Sequence, residues 1–368
     1  MTRRSIPLYR QILPWIYVLF FLLTAPILLL YSSGYRYNWI KQQIERNSTL
    51  IVDSIPKNAE IFLDHAPSGE KSPITLQNIS PGWHTIRVQK EGYFSWEKNL
   101  ELQPERVTFA TGIWLWKKSE PSLLIDQSIA QLALANTQDA LALLHVSATS
   151  SQFNWWRPDQ ELASAIDVTT TGRELPEPFG ILPPGDPQQR FVIRMITTTH
   201  AQILMDRNFL RKEFALPPGP WKLWQIKDNF VLLQHGEEWL ALDPSQSGKS
   251  YITQVSGDHP RWLDRAPRPT AIFLKKNEVW LWTLGQDPEL LWRQSEPLTQ
   301  AIWHDSGTTI FLATTQDIFA LSLDERNGRV ITPLAHFDQI HDLAMLNKIL
   351  YIAGAKDGQD GLWKLEVE

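Results

Sequence analysis

Three histidines lie next to an aspartate in the second half of the sequence, and their side chains are the best suited to chemistry. The pairs are Asp258-His259, His304-Asp305 and His341-Asp342. Imidazole and carboxylate groups act as metal ligands and as general acids or bases. Adjacent residues of a strand point to opposite faces, so at most one member of each pair can face a shared site. We interpret these residues as turn residues in solvent. The alternative is a metal or acid–base cluster formed by Asp258, His259, His304 and His341.

The sequence lacks the motifs that would turn such side chains into a recognisable active site. It contains no H-E-x-x-H, G-x-S-x-G, G-x-x-x-x-G-K-[ST] or G-x-G-x-x-G, and it contains no cysteine. Zincin, hydrolase-elbow, P-loop and dinucleotide sites therefore have no support, and Cys-ligated metals and disulfides are excluded. We predict no catalytic residue set, no metal and no cofactor.

The charge of the chain is divided between two regions of opposite sign. Residues 1–47 hold six Lys or Arg against one Glu, a net charge of +5, which leaves −10 for the rest of a chain whose total is −5. A region with that negative charge repels phosphate backbones. We therefore predict no nucleic-acid partner.

An apolar segment near the amino terminus predicts a membrane anchor. No charged residue lies between Arg10 and Arg36, and residues 12–31 are almost wholly apolar. About 20 such residues span a bilayer core as a helix, and the preceding arginines favour a cytoplasmic amino terminus. We predict a basic cytoplasmic terminus (1–11), an uncleaved transmembrane helix (12–31), a juxtamembrane linker (32–48) and extracytoplasmic domains that follow.

Residues 49–117 show the alternation of short strands and predict a small β-sandwich. The segments SIPKNAEIFLD (54–64) and NISPGWHTIRVQKEGY (78–93) resemble the PEGA domain, whose pattern is S-x-P-x-G-A, a strand ending in Asp-Gly, and P-G-x-(H/Y) before a strand that ends in Gly-Tyr. The resemblance, together with the anchor, extends to single-pass PEGA proteins of small-genome bacterial lineages. It implies a structural role for Pro56, Ala59, Asp64, Pro81, Gly82, Gly92 and Tyr93.

The sequence departs from the PEGA pattern at two turn positions. Asn58 and His65 stand where the family has glycine. Asn tolerates a left-handed backbone better than other residues with a side chain, whereas His65 puts the local turn geometry in question. Tyr93, Trp96, Trp114 and Trp116 suggest an aromatic platform for sugars, but we favour core or interdomain packing for them.

Residues 118–368 repeat short apolar runs about every 40 residues, which is typical of the four-stranded blades of a β-propeller. Trp224, Trp262 and Trp303 occupy equivalent places in three successive quartets, and the last quartet lacks one strand. The segment PSLLIDQ (121–127) resembles an outer strand and supplies the missing one. The region's length predicts about six blades; five or seven blades, or tandem β-sandwiches, remain alternatives.

These features together predict an anchored, mainly β protein of the cell envelope. We expect a non-catalytic binding or scaffolding protein whose partner is an envelope glycan or protein. Two alternatives remain open: a carbohydrate-active enzyme with carboxylates in a propeller channel, and a component of an envelope-assembly machine.

Overall fold

The computed structural model describes residues 8–32, 35–38, 43–134, 140–146, 151–158, 166–167, 191–196, 200–205, 210–227, 230–242, 253–258, 260–263 and 268–368. The chain forms two compact units, unit 1 (Met1–Leu115) and unit 2 (Trp116–Glu368). Among the described residues, the regular elements are one α-helix and otherwise only β-strands. The predicted mainly β fold is therefore confirmed. The boundary between the units precedes the one predicted at 117/118.

Unit 1 begins with the helix α1 (Leu8–Ser32), which extends beyond the predicted segment 12–31 at both ends. Its described large apolar side chains, such as Phe20 and Leu28, are exposed. The described part of the chain holds no helix that meets both the length and the apolar character of a membrane span. The interval 32–48, predicted as a linker, contains the antiparallel hairpin of β1 (Tyr35–Asn38) and β2 (Gln43–Arg46).

Two sheets follow in unit 1, ordered β6-β3-β9 and β5-β4-β7-β8. Strand β9 runs parallel to β3, and every other pairing in the two sheets is antiparallel. Each sheet buries one face, with Leu50, Val52, Ile86 and Val88 in the core. The strands are β3 (Ser48–Ile55), β4 (Glu60–Leu63), β5 (Ala66–Lys71), β6 (Ile74–Ile79), β7 (Gly82–Gln89), β8 (Trp96–Leu102) and β9 (Val107–Trp114).

Unit 2 contains six sheets within its described residues. Five have four strands and the β15–β17 sheet has three, and all pairings are antiparallel. The strands are β10 (Ser122–Ile125), β11 (Gln131–Leu134), β12 (Leu141–Val146), β13 (Ser151–Trp156), β14 (Ile166–Asp167), β15 (Phe191–Ile196), β16 (His200–Met205), β17 (Leu210–Ala215), β18 (Lys222–Lys227), β19 (Phe230–His235), β20 (Glu238–Leu242), β21 (Thr253–Ser256), β22 (Arg261–Trp262), β23 (Thr270–Lys275), β24 (Glu278–Thr283), β25 (Glu289–Arg293), β26 (Gln300–Trp303), β27 (Thr309–Ala313), β28 (Asp317–Ser322), β29 (Ile331–His336), β30 (Gln339–Leu346), β31 (Ile349–Lys356) and β32 (Gln359–Glu366).

The last sheet takes its fourth strand from the start of unit 2. Its order is β10-β32-β31-β30, and Leu123 of β10 lies opposite Trp363 of β32. The predicted pairing of the segment 121–127 with the carboxy-terminal sheet is therefore confirmed. The Trp repeat is also confirmed at the level of the strands, since Trp224, Trp262 and Trp303 lie on the first strands of three successive sheets.

Neighbouring sheets of unit 2 share hydrophobic cores. Side chains of the β11–β14 sheet pack with those of β30, β31 and β32 around Trp156 and Tyr351. The sheet of β22–β25 shares one core with β26–β28 and a second with β19–β21 around Trp239 and Trp282. The first strands β22, β26, β30 and β11 lie side by side in that order. This arrangement of side-by-side four-stranded sheets is β-propeller-like.

Gly361 lets β10 approach β32 closely, because a Cβ there would overlap the carbonyl oxygen of Ile125. We expect Gly361→Ala to separate the strands and to lower the free energy of unfolding by about 2 kcal/mol. Hydrogen exchange of the full chain should show loss of protection in β10. Lys364→Ala, on the same strand, is the control. Equal effects of the two substitutions would mean that the close approach is absent.

Candidate functional site

The PEGA-like motif residues of unit 1 form turns and buried contacts. Ala59 is fully buried, and its amide donates to the Ser72 hydroxyl (3.1 Å). Asn58 adopts a φ of 63°, as predicted from its tolerance of a left-handed backbone. His65 also adopts a left-handed φ of 67°, so the turn keeps its geometry despite the absence of glycine. Ala59 thus belongs to the core of unit 1, and Asn58 and His65 provide left-handed turn conformations.

Asp64 and His84 connect the end of β4 to β7. The Nδ1 of His84 lies 2.6 Å from Oδ2 of Asp64, and its Nε2 donates to the Ser80 carbonyl (2.7 Å). Oδ1 of Asp64 accepts the Thr85 amide (3.0 Å). Burial raises the pKa of Asp64, but the hydrogen bonds from His84 and Thr85 outweigh it, so the pKa lies below its ordinary value. Both ring nitrogens of His84 are occupied, which suits a structural role.

Four further PEGA-like positions, Pro81, Gly82, Gly92 and Tyr93, lie at or just beyond the two ends of β7. Gly82 and Gly92 adopt positive φ angles of 136° and 80°, which favour glycine. Pro81 precedes Gly82 at the start of β7. The Tyr93 amide donates to the Lys90 carbonyl (3.1 Å), and the Lys90 ammonium lies 5.9 Å from the Tyr93 ring centroid.

The four aromatic residues suggested as a sugar platform, Tyr93, Trp96, Trp114 and Trp116, do not form a common exposed surface. Trp96 and Trp116 are buried, and Trp116 packs edge-on against His304 and Phe311 within unit 2. Packing, the interpretation that we favoured, fits both residues. The exposed tryptophan of this region is instead Trp83, which retains 61% of its surface.

The lowered pKa of Asp64 predicts an acid-sensitive contribution to stability. A depressed carboxylate pKa stabilises the fold above the unfolded value of about 3.9, and this contribution is lost as pH falls through the folded value. We expect Asp64→Asn to lower the free energy of unfolding near neutral pH by about 1 kcal/mol, because the carboxylate is half exposed. Chemical unfolding at a series of pH values should show the difference shrinking in acid. Glu91→Gln, at an exposed turn, is the control and should show neither effect.

The predicted histidine–aspartate candidates occupy separate surroundings in unit 2. His304 is buried, its Nδ1 contacts the Ser306 hydroxyl (2.7 Å), and its Nε2 contacts Oε1 of Glu368 (2.9 Å). Burial lowers the pKa of His304, and the Glu368 hydrogen bond opposes that shift. Asp258 is exposed, and His259 lies outside the described residues. In the described part of the chain, no group of three His, Asp or Glu side chains is arranged to hold a metal.

His341 belongs to a different group of polar side chains, on the first strands of three neighbouring sheets. We call Arg261 (β22), Gln300 (β26), His341 and Asp342 (β30) the inner-strand cluster. Nη2 of Arg261 lies 3.4 Å from Oε1 of Gln300 and 3.7 Å from Oδ1 of Asp342. Nε2 of Gln300 donates to the His341 carbonyl (3.3 Å). The cluster therefore links three strands that lie side by side.

Asp342 extends the inner-strand cluster to a fourth strand. Its carboxylate is buried, and it accepts the amide of Leu132 on β11 (2.9 Å) and that of Leu343 (2.8 Å). Burial raises its pKa, although Arg261 and the two amides favour the charged form. This side chain ties the first sheet of unit 2 to the last.

Removal of the Asp342 carboxylate would leave two buried amides without an acceptor and Arg261 without its counter-charge. We expect Asp342→Ala to lower the free energy of unfolding by about 2 to 3 kcal/mol. Denaturant unfolding of the full chain measures the effect, and Asp287→Ala, at an exposed position, should change stability little. If the Asp342 variant were equally stable, the link between β30 and β11 would have to lie elsewhere.

The sequence pointed to two residues of the inner-strand cluster, His341 and Asp342, and not to Arg261 or Gln300. His341 and Asp342 form an adjacent histidine–aspartate pair, whereas Arg261 and Gln300 belong to no recognisable motif. Their positions at the start of β22 and β26 are the signal that was available, because equivalent positions of repeats converge once the sheets lie side by side.

The described chain is thus a mainly β protein in which unit 1, with its two larger sheets, is followed in sequence by the propeller-like unit 2. Residues 47–112 match the family model of the PEGA domain, which confirms the predicted resemblance over that segment. Among solved structures, the whole chain is similar to Hsv2 of Kluyveromyces marxianus, at 10% sequence identity and a TM-score of 0.32. The match covers 62% of this chain and 70% of Hsv2. Hsv2 of Kluyveromyces lactis is similar at 9% identity and a TM-score of 0.32, covering 61% and 70%. Similarity at that score carries no argument about function. No curated protein sequence matches the chain.

Proposed function

We propose that this protein is a membrane-anchored, extracytoplasmic binding or scaffolding protein of the cell envelope. In this proposal the PEGA-like unit lies near the membrane and unit 2 recognises a glycan or a protein. Unit 2 is proposed to form a closed ring of six blades.

The observation that carries the binding role is the inner-strand cluster. Its side chains are fixed by hydrogen bonds and charge pairs to neighbouring strands, with Gln300 in contact with both Arg261 and the His341 backbone. Polar groups held in fixed positions suit recognition, because little side-chain entropy is lost when a ligand binds. The β22–β25 sheet shares cores with β19–β21 and with β26–β28, and the β11–β14 sheet shares one with β30–β32, which supports a rigid frame for such a site.

The proposed attachment to the membrane rests on α1 and on the sequence around it. The helix exposes its described large apolar side chains, and residues 11–35 carry no charge. Burying such a surface in a lipid environment is favourable. The basic residues Arg3, Arg4 and Arg10 favour retention of the amino terminus in the cytoplasm.

The location can be tested with single cysteines, because the natural chain has none. We expect Glu325→Cys, in unit 2, to react with a membrane-impermeant maleimide in intact cells. Ser5→Cys should react only after lysis. If both cysteines reacted before lysis, or if neither did, the proposed orientation would be contradicted. Recovery of the chain in the soluble fraction would contradict the proposed membrane anchor.

The binding role can be tested with the full chain purified in mild detergent. We expect it to bind components of a defined panel of immobilised envelope glycans and purified envelope proteins. The same chain after thermal unfolding is the control. Failure to bind any member of either class would contradict the proposed role.

A further inference from the structure

The start of β3 lies beside the carboxy-terminal end of α1. In the hairpin of β1 and β2, Tyr35 lies opposite Arg46, so the chain returns close to the point at which it left the helix. Strand β1 contacts α1, and the Arg46 guanidinium lies 4.5 Å from the Tyr35 ring centroid. Arg46 also pairs with Glu105, in the turn between β8 and β9. Since paired strands are about 5 Å apart, the end of unit 1 at which β3 begins adjoins the helix.

Two turns of unit 1 meet at the start of β3. The Ser48 hydroxyl donates to the Gln103 carbonyl (2.7 Å), in the turn between β8 and β9. Glu105 of the same turn donates its backbone amide to the Asn47 carbonyl (3.1 Å). The Asn47 side-chain amide donates to Oδ1 of Asn78 (3.2 Å), close to the turn between β6 and β7. We call this part of unit 1 the helix-proximal end, and it comprises residues 47–49, 78–83 and 101–107.

The helix-proximal end exposes a tryptophan. Trp83 lies opposite Glu101, one pair from the end of the ladder between β7 and β8. It keeps 61% of its surface exposed, and Val107, opposite Thr49 on the other sheet, keeps 47%. An indole combines an apolar ring with an N–H donor, so it suits a boundary between an apolar and an aqueous phase.

We infer that the helix-proximal end lies against the lipid surface, with the Trp83 indole at the level of the headgroups. This contact rests on the proposed function, the membrane anchor, and adds to it a second contact that fixes how unit 1 faces the bilayer. A helix that spans a bilayer ends at the headgroups, where tryptophan is enriched because its ring meets acyl chains and its N–H meets polar groups. Lipid is favoured over a protein partner, since the hairpin leads from the end of α1 directly to the side of unit 1 that carries Trp83.

The test measures how close two positions of β8 lie to the headgroups. The natural chain has no cysteine, so one NBD fluorophore can be attached at Glu101→Cys, opposite Trp83, or at Glu97→Cys on the same face of β8. The full chain is reconstituted in phosphatidylcholine vesicles, with or without a lipid that carries a nitroxide quencher on its headgroup. We expect about twofold stronger quenching at position 101, because four strand residues place position 97 about 13 Å farther from the helix-proximal end.

Substitution of Trp83 tests its part in the contact. Trp83→Ala, combined with Glu101→Cys, should lower the quenching at position 101 toward the value at position 97. Trp83→Phe keeps an apolar ring and should retain more of the quenching than Trp83→Ala. Ile55→Ala removes an exposed apolar side chain at the far end of β3, so it is the matched control and should leave the quenching unchanged. Thermal unfolding of each variant distinguishes a loss of lipid contact from a loss of folding.

Flotation of the same vesicles separates the lipid contact from the proposed anchor. A chain that did not float with the vesicles would overturn both. A chain that floated without quenching at position 101 would overturn the lipid contact and leave the anchor intact. Quenching that Trp83→Ala did not change would overturn the role of Trp83. Fluorescence at position 101 that varied with the protein-to-lipid ratio, and not with the nitroxide lipid, would overturn lipid as the occupant and assign the surface to a second copy of the chain.

Discussion

The pairing of β10 with β32 is the contact on which unit 2 depends. It joins strands from the two ends of the unit and gives the last sheet its fourth strand. An unpaired edge of a sheet is open to association with other chains, and this pairing covers the edge of β32. The Lys117 amide donates to the Val367 carbonyl, and Lys117 pairs with Glu366, so the same two ends are held at further points.

Asp342 makes polar contacts at the opposite edge of the last sheet, on β30. A carboxylate in a buried position is costly unless hydrogen bonds and a counter-charge compensate it. Here the Leu132 and Leu343 amides and Arg261 supply that compensation. The inner-strand cluster thus shares Asp342 with the contact that joins β30 to β11.

The two units differ in how their notable residues are used. In unit 1 the PEGA-like positions described above contribute to the fold itself. Asp64 hydrogen-bonds with His84 at one turn, and Asn58 and Gly92 adopt left-handed backbone conformations. The tryptophans of unit 2 mostly fill cores, as Trp239 and Trp282 do. Among the described side chains, the surplus of tryptophan therefore reflects packing between sheets more than ligand contact, and the exposed exceptions are Trp15 and Trp83.

The sequence by itself determined the mainly β class, the PEGA-like segment and the strand quartets, because alternation, turn residues and repeat length are local signals. It also determined the role of residues 121–127, since that segment resembles an outer strand. Only the tertiary structure decided that His304 is buried against Glu368, that Asp342 reaches Leu132, and that Arg261 meets Gln300. These contacts join residues that lie on, or directly after, strands of different sheets, and no pattern along the chain encodes a distance across a fold.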